Sequence, residues 1–151
     1  MSSLKTSFDE LVERIRQGRE LGHASYEPIY YLVFHPHEII EVKRLLPTWI
    51  ARLRNEGWEP QTLSMAAIIT EIIEQSPLLK IWQTADAKAP LAWDKTNKSI
   101  ANALTKGDVQ NRVAQLLTSL QGKKNAVVLL TDLEALHPYL RPGVIEGQLY
   151  G

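Results

Sequence analysis

Cysteine is missing from the 151-residue sequence. Its absence excludes disulfides, thiolate metal sites and cysteine nucleophiles, and it fits a compartment whose redox state keeps thiols reduced. We therefore expect a cytoplasmic protein.

The sequence also lacks a net charge and long apolar runs. Seventeen basic residues balance seventeen acidic ones, so the broad positive field that supports nucleic-acid binding is absent and direct binding is not expected. The longest apolar runs fall far short of the roughly 18 residues that a membrane-spanning helix needs. No membrane association is expected.

Two common catalytic motifs are missing as well. A phosphate loop, G-x-x-x-x-G-K-[ST], requires glycines that let backbone N–H groups wrap phosphate. The turn where it would lie reads Val33-Phe34-His35-Pro36-His37-Glu38, without glycine or lysine. No G-x-S-x-G nucleophile elbow is present either. No cofactor is expected, and the chain is predicted not to be an enzyme.

Alternating strand and helix patterns predict an α/β fold with a small, mainly parallel sheet of three or more strands. The layout resembles that of P-loop proteins without the phosphate loop. Strands are predicted over 29–34, 58–63 and 126–130, of which the last, Ala-Val-Val-Leu-Leu, is the most clearly buried pattern. Helices are predicted over 7–15, 36–56, 64–73, 78–93 with a break at 85–90, 94–106, 108–120 and 141–151. The length of 151 residues fits a single domain, 1–151.

Several residues mark predicted helix ends. Ser7 and Ser64 are candidate N-caps, and Pro36 suits a first helical turn. Gly57 is a natural residue after a helix end, whereas Pro47 lies inside the predicted helix and is expected to kink it.

A cluster of polar groups follows the first predicted strand. His35, His37 and Glu38 would lie at its carboxyl end, where α/β folds place ligands, and Asp132 follows the last strand in the same way. A metal or acid–base site is one interpretation. Polar residues in the first turn of a helix, with Asp132 as a helix cap, are the favoured alternative, because the H-x-H-E spacing lacks the i, i+4 pattern of zinc hydrolases.

Four tryptophans could anchor a partner, since aromatic anchors often dominate interface energies. Trp49 lies on the apolar stripe of its helix and is expected in the core. Trp82 and Trp93 lie in the less regular middle of the chain and are the candidate partner-binding residues.

Three short segments carry a resemblance to a known family. They are Phe8-Asp9-Glu10-Leu11, the 30–34 segment running into His35-Pro36-His37-Glu38, and Leu136-His137-Pro138-Tyr139-Leu140-Arg141. In this order they resemble the BrxB family of the BREX bacteriophage-exclusion systems. Because family members continue past the position of Gly151, the resemblance implies either a chain truncated at its C-terminus, which is the favoured interpretation, or a shortened relative.

The resemblance implies a non-catalytic accessory or adaptor subunit of an antiphage defence complex. Its expected partner is a PglZ-like, alkaline-phosphatase-like protein, with a BrxC-like ATPase and a PglX-like methyltransferase in the same system. Two alternatives stay open: a nucleic-acid-binding module that uses Trp82 or Trp93, and an enzyme centred on His35, His37, Glu38 and Asp132.

Overall fold

The computed structural model describes residues 3–20, 29–106 and 108–147, and these are mostly helical. The chain divides into two compact units, Met1–Pro60 and Gln61–Gly151. Each unit is described by itself, and the expectation of a single domain stays a prediction. No helix among the described residues is both long and apolar enough to cross a membrane.

The first unit begins with helix α1, Leu4–Glu20. The helix starts three residues earlier than predicted and Ser7 lies inside it, so the assignment of Ser7 as the N-cap is wrong. Instead, the hydroxyl of Ser3 accepts a hydrogen bond from the backbone N–H of Thr6 at 3.3 Å. A cap in this position satisfies one of the unpaired N–H groups of the first turn.

The second helix of this unit confirms the signals predicted for its ends, while the kink expected at Pro47 stays a prediction. A 3₁₀ turn, Pro36–Glu38, leads into α2, Ile39–Asn55, and Gly57 follows the helix end at φ 89°. That left-handed conformation carries no Cβ penalty in glycine. The helix continues through Pro47.

Helices α1 and α2 pack through their apolar faces, and the buried side chains are Phe8, Val12, Ile15, Trp49 and Leu53. The rings of Phe8 and Trp49 stack with centroids 4.6 Å apart and an interplanar angle of 9°. The prediction that Trp49 belongs to the core is therefore confirmed.

The strand predicted over 29–34 does not form. The segment has no regular secondary structure, and Val33 and Tyr31 are 81% and 51% exposed. The hydroxyl of Tyr30 donates to the backbone carbonyl of Arg14 in α1. Strand propensity reflects how well β-branched and aromatic side chains pack on a half-buried pleated surface. In the structure Tyr31 and Val33 face solvent instead of packing on such a surface.

The sheet is small and parallel. It pairs β1, Glu59–Ser64, with β2, Ala126–Thr131, and both strands were predicted. The α/β assignment thus holds in the coarse sense of a mainly helical chain with a small parallel sheet. All six residues of β2 are half-buried rather than buried.

Among the described residues of the second unit, four helices lie between β1 and β2 and one follows β2. They are α3, Met65–Gln75; α4, Leu79–Lys88; α5, Trp93–Leu104; α6, Asp108–Ser119; and α7, Pro142–Glu146. Ser64 caps α3 as predicted, since its hydroxyl accepts the N–H of Ala67 at 3.2 Å. The helix predicted over 141–151 forms only in part, and 148–151 lie outside the described residues.

Helix α3 forms the centre of the second unit. It packs against α4, α5, α6, β2 and the 3₁₀ turn Leu133–Leu136. The core around it consists of Met65, Ile68, Ile69, Trp82, Ile100, Leu104, Val109, Val113, Leu136, Leu140 and Ile145. Because α4 and α5 rest on this core, they form a firm support for the turn that joins them.

Candidate docking surface

The polar cluster of the first unit lies in the 3₁₀ turn before α2. The rings of His35 and His37 are tilted by 39°, with centroids 4.2 Å apart. Glu38 accepts the backbone N–H of His35 at 2.8 Å. These contacts are those of first-turn helix residues, which was the favoured interpretation. No group of three or more His, Cys, Asp or Glu side chains among the described residues is arranged to hold a metal.

Asp132 lies at the carboxyl end of β2, in the second unit. It occupies the N-cap position of the turn Leu133–Leu136, but its side chain makes no capping hydrogen bond. Instead, its carboxylate accepts the hydroxyl of Ser64, which ends β1, at 2.5 Å. Asp132 thus holds the predicted cap position, but without a side-chain capping hydrogen bond. The backbone of Asp132 adopts a left-handed conformation, φ 56°, which Asp tolerates better than most residues.

The pair Ser64–Asp132 ties together the carboxyl ends of the two parallel strands. Ser64 uses the same hydroxyl to cap α3 and to donate to the carboxylate. One hydroxyl and one carboxylate, each already bonded, hold the strand ends and the start of α3 in place. This arrangement stabilises the fold.

Of the two candidate partner-binding tryptophans, Trp82 is buried. It is 5% exposed in the core of the second unit, and its indole Nε1 donates to the hydroxyl of Ser99 at 2.8 Å. A buried tryptophan usually finds such a partner for its N–H group. The structure thus gives Trp82 a role inside the α4–α5 pair, with its ring turned away from solvent.

Trp93 lies at the start of α5 and is 61% exposed. Two residues before it, Leu91 is 92% exposed. The two side chains form what we call the turn surface, defined as Leu91 and Trp93 in the connection between α4 and α5. Single exposed apolar residues are common, but a Leu and a Trp two residues apart on one turn are a candidate docking site.

The two helices that carry the turn surface are joined by two side-chain hydrogen bonds. Trp82 of α4 bonds to Ser99 of α5, and Thr96 of α5 donates to the carboxylate of Asp86 in α4 at 2.9 Å. Thr96 is itself buried. The later residue of α4, Asp86, is bonded to the earlier residue of α5, Thr96, and the earlier residue Trp82 is bonded to the later residue Ser99. The two helices therefore run antiparallel, and the bonds hold the turn between them in place.

The α4–α5 pair carries a net positive charge in a chain that is neutral as a whole. Within Leu79–Lys88, 89–92 and Trp93–Leu104 the sequence carries four lysines and two aspartates. The lysines are exposed, and none has an ion-pair partner among the described residues; they are Lys80, Lys88, Lys95 and Lys98. Close to the turn, however, Lys88 and Lys95 are balanced by Asp86 and Asp94.

Elsewhere in the second unit an ion pair joins two helices. Arg112 of α6 donates to Glu71 of α3 at 2.9 Å. This hydrogen bond lowers the pKa of the Glu71 carboxyl and raises that of the Arg112 guanidinium. The pair therefore links α3 to α6 at the surface of the second unit.

Sequence reasoning named Trp93 but missed Leu91. The signal was present, since Leu91 stands in a polar, alanine-rich break that has no apolar stripe to join. A large aliphatic residue is a candidate for exposure when the positions four residues before and after it carry no large apolar side chain.

No family model, curated protein or solved structure matches the chain.

Proposed function

We propose that this chain is a non-catalytic adaptor subunit of a BREX-type antiphage complex and that it docks a PglZ-like protein. A BrxC-like ATPase and a PglX-like methyltransferase are its further partners in the cytoplasm. The proposal starts from the order of the short segments that resemble the BrxB family. The observation that carries it is the turn surface, where Leu91 in the connecting turn and Trp93 at the start of α5 are exposed beside two helices that are hydrogen-bonded to each other.

Docking explains this arrangement better than folding does. Burying a leucine or tryptophan that folding leaves exposed contributes about 1.5–3 kcal/mol or more. A partner that covers both residues therefore gains binding free energy that the isolated chain does not use.

The proposal includes a larger sheet in the assembled complex. A sheet of three or more strands, in the P-loop-like layout without a phosphate loop, would cover β2 more completely than β1 alone does. Support comes from the half-buried state of all six β2 residues, although their sequence is typical of a strand enclosed on both faces.

The test is co-expression of the tagged chain with its genomic neighbours, followed by affinity capture and size-exclusion chromatography with mass analysis. A stoichiometric complex with the PglZ-like protein supports the adaptor function. Elution of the chain alone, from cells in which the neighbour is abundant and soluble, refutes it.

The non-catalytic part has its own test. A variant with His35→Ala and His37→Ala removes both imidazoles of the polar cluster, and it is expected to protect cells from phage as well as the wild type does. Loss of protection with normal folding and normal partner capture would instead favour the enzyme hypothesis.

A nucleic-acid-binding module is the second candidate, and one observation favours it. Trp93 is exposed on a pair of helices whose four lysines have no ion-pair partner in the described part of the chain, and aromatic rings beside cations bind single-stranded bases. Fluorescence anisotropy with a labelled single-stranded oligonucleotide tests this candidate. Tight binding that weakens steeply with salt supports it, and undetectable binding at low salt eliminates it.

A further inference from the structure

The parallel sheet has two outer edges, and they differ in how they are protected. Among the described residues the sheet consists of β1 and β2 alone, so each strand has one side without a neighbouring strand. Natural proteins protect such edges with proline and charged side chains. The edge of β1 has both, because Glu59 and Pro60 begin that strand. Strand β2, Ala-Val-Val-Leu-Leu-Thr, has neither.

The outer edge of β2 specifies a strand as its occupant. In the described part of the chain, residues 127–131 make no backbone hydrogen bond outside the sheet. All six side chains of β2 are half-buried, although their sequence is typical of an enclosed strand. The N–H and C=O groups along an open strand edge pair with another extended chain. The edge therefore fits a further strand.

The charges at the two ends of β2 indicate which strand this is. Two lysines precede β2, Lys123 and Lys124. Two acidic residues follow it, Asp132 and Glu134. Glu59 also lies at the basic end, but in β1, which pairs with the other side of β2. A second copy of β2 running antiparallel brings the basic end of each strand beside the acidic end of the other, whereas a parallel copy would bring like charges together.

A twofold axis restricts the register of such a pair. Two identical antiparallel strands related by this axis place one residue directly opposite its own copy. Lys124 lies opposite Asp132 of the second copy when that residue is Val128, midway between the two. Asp132 already accepts the Ser64 hydroxyl through Oδ2, but an ionised carboxylate has about four acceptor sites. The carboxylate can thus serve both contacts.

The same register matches the remaining side chains of the strand. With Val128 on the axis, the apolar residues 126–130 oppose one another and Thr131 opposes Asn125. With Leu129 on the axis instead, Thr131 would oppose Val127 and Asp132 would oppose an alanine. Cross-strand pairs of like polarity stabilise a sheet. The Val128 register is therefore favoured.

We propose that two copies of this chain pair antiparallel through β2, with Val128 on the twofold axis, and form one four-stranded sheet in the order β1–β2–β2–β1. The proposal does not depend on the adaptor function, and it supplies a source for the larger sheet proposed above. Because the shared edge is only six residues long, the dimer is expected to be weak and to depend on concentration.

The absence of cysteine from the chain allows a direct test by disulfide cross-linking with copper phenanthroline as oxidant. In Val128→Cys the two thiols face each other across the axis, where the Cα separation of about 4.5–5.5 Å suits a disulfide. A covalent dimer of twice the 17.1 kDa chain mass is expected. Val127→Cys is the matched control, because its two copies are offset by two residues and lie about 8 Å apart, beyond disulfide reach.

A second measurement tests the charges without changing the strand. Sedimentation equilibrium of the full chain is expected to show a monomer–dimer equilibrium. Lys124 is exposed, and Lys124→Glu is expected to weaken the dimer about tenfold, because it replaces two attractive cross-strand pairs by two repulsive ones. Lys98→Glu makes the same charge change on the exposed side of α5 and is expected to dimerise like the wild type.

The outcomes separate this inference from the proposed function. Cross-linking confined to Val128→Cys, with a weaker dimer for Lys124→Glu, supports the β2 pair. A wild type that stays monomeric at high concentration overturns it and leaves the adaptor function standing. Equal cross-linking of Val128→Cys and Val127→Cys overturns it as well. Transfer of a benzophenone label from Val128→Cys to the captured PglZ-like protein, without dimer formation, makes that partner the occupant of the edge. Circular dichroism establishes that each variant is folded.

Discussion

Removal of the Ser99 hydroxyl tests whether the α4–α5 pair is held as the structure indicates. Trp82 is 5% exposed, and its indole N–H donates to the Ser99 hydroxyl at 2.8 Å. The Ser99→Ala substitution removes this acceptor, which is the one hydrogen-bond partner of that N–H group among the described residues. A buried donor without an acceptor costs about 1–3 kcal/mol of folding free energy. Alanine returns about 0.5 kcal/mol through its higher helix propensity. The expected net loss is therefore about 0.5–2.5 kcal/mol.

The second half of the cycle uses Trp82→Phe, which removes the donor. In that background Ser99→Ala leaves no buried N–H group without an acceptor, and it is expected to stabilise the chain by about 0.5 kcal/mol through helix propensity alone. The difference between the two backgrounds, about 1–3 kcal/mol, measures the coupling of Trp82 and Ser99. Urea-induced unfolding followed by far-UV circular dichroism gives each free energy of unfolding.

Thr84→Ala serves as the matched control. Thr84 lies on the exposed side of α4, and its hydroxyl donates to the carbonyl of Lys80 at 2.8 Å within the same helix. Its removal is expected to change the free energy of unfolding by less than about 0.5 kcal/mol, as is usual for surface positions. Equal effects of Ser99→Ala in the two backgrounds would refute the hydrogen bond and the fixed turn that depends on it.

Three further changes test the second unit by urea unfolding. Asp132→Ala and Asp132→Gly lose the same carboxylate hydrogen bond, but only glycine fits φ 56° without strain. The alanine variant is therefore expected to be less stable than the glycine variant by about 0.5–1 kcal/mol, and equal stabilities of the two would contradict this. Leu104→Ala, at a fully buried position, is expected to cost about 2–5 kcal/mol, against less than about 1.5 kcal/mol for Leu117→Ala at 38% exposure; similar losses would contradict the core assignment. Arg112 lowers the pKa of Glu71 below its ordinary 4.5, so the pair stabilises the folded state above that pH and loses this effect as the pH falls through the folded-state pKa. Arg112→Gln is thus expected to reduce stability slightly at neutral pH and not at all at strongly acidic pH, and a difference independent of pH would exclude the pairing.

Local sequence signals predicted much of the second unit. The uninterrupted apolar run of β2, the serine before α3 and the alanine-rich break between α4 and α5 each act within a few residues. A capping hydroxyl such as that of Ser64 bonds three residues away, so its consequence can be derived from sequence alone. Strand β2 and the cap of α3 appear where the patterns placed them, whereas α4 continues to Lys88 and the break falls at 89–92 instead of 85–90.

The segment 29–34 shows the limit of such reasoning. Its composition is typical of a buried strand, yet strand formation needs a neighbouring strand, and pairing is a property of the whole fold. The sequence pattern could not reveal that Val33 and Tyr31 would remain exposed. The N-terminal boundary of α1 was also misplaced, because Ser3 and Ser7 are equivalent as caps until the helix length is known.

The candidate site was predicted in part. Trp93 and Trp82 were grouped because both lie in an irregular stretch, but their burial depends on the helical phase relative to a core that the sequence does not specify. Trp82 faces Ser99, and Trp93 begins a helix at the edge of that core. Leu91 was missed because sequence patterns emphasise residues that repeat at helical or strand spacing.

Strand β2 also has a consequence before the chain has folded. Its six residues carry no charge and no proline and are rich in β-branched and aliphatic side chains, which is the signature of a segment that stacks into cross-β assemblies. Lys124 lies two residues before the strand and Asp132 directly after it, and charges so placed act as gatekeepers that oppose stacking of like segments. Partly folded chains would associate through this segment at high concentration. Refolding yield is therefore expected to fall with protein concentration, and more steeply when Lys124 is neutralised.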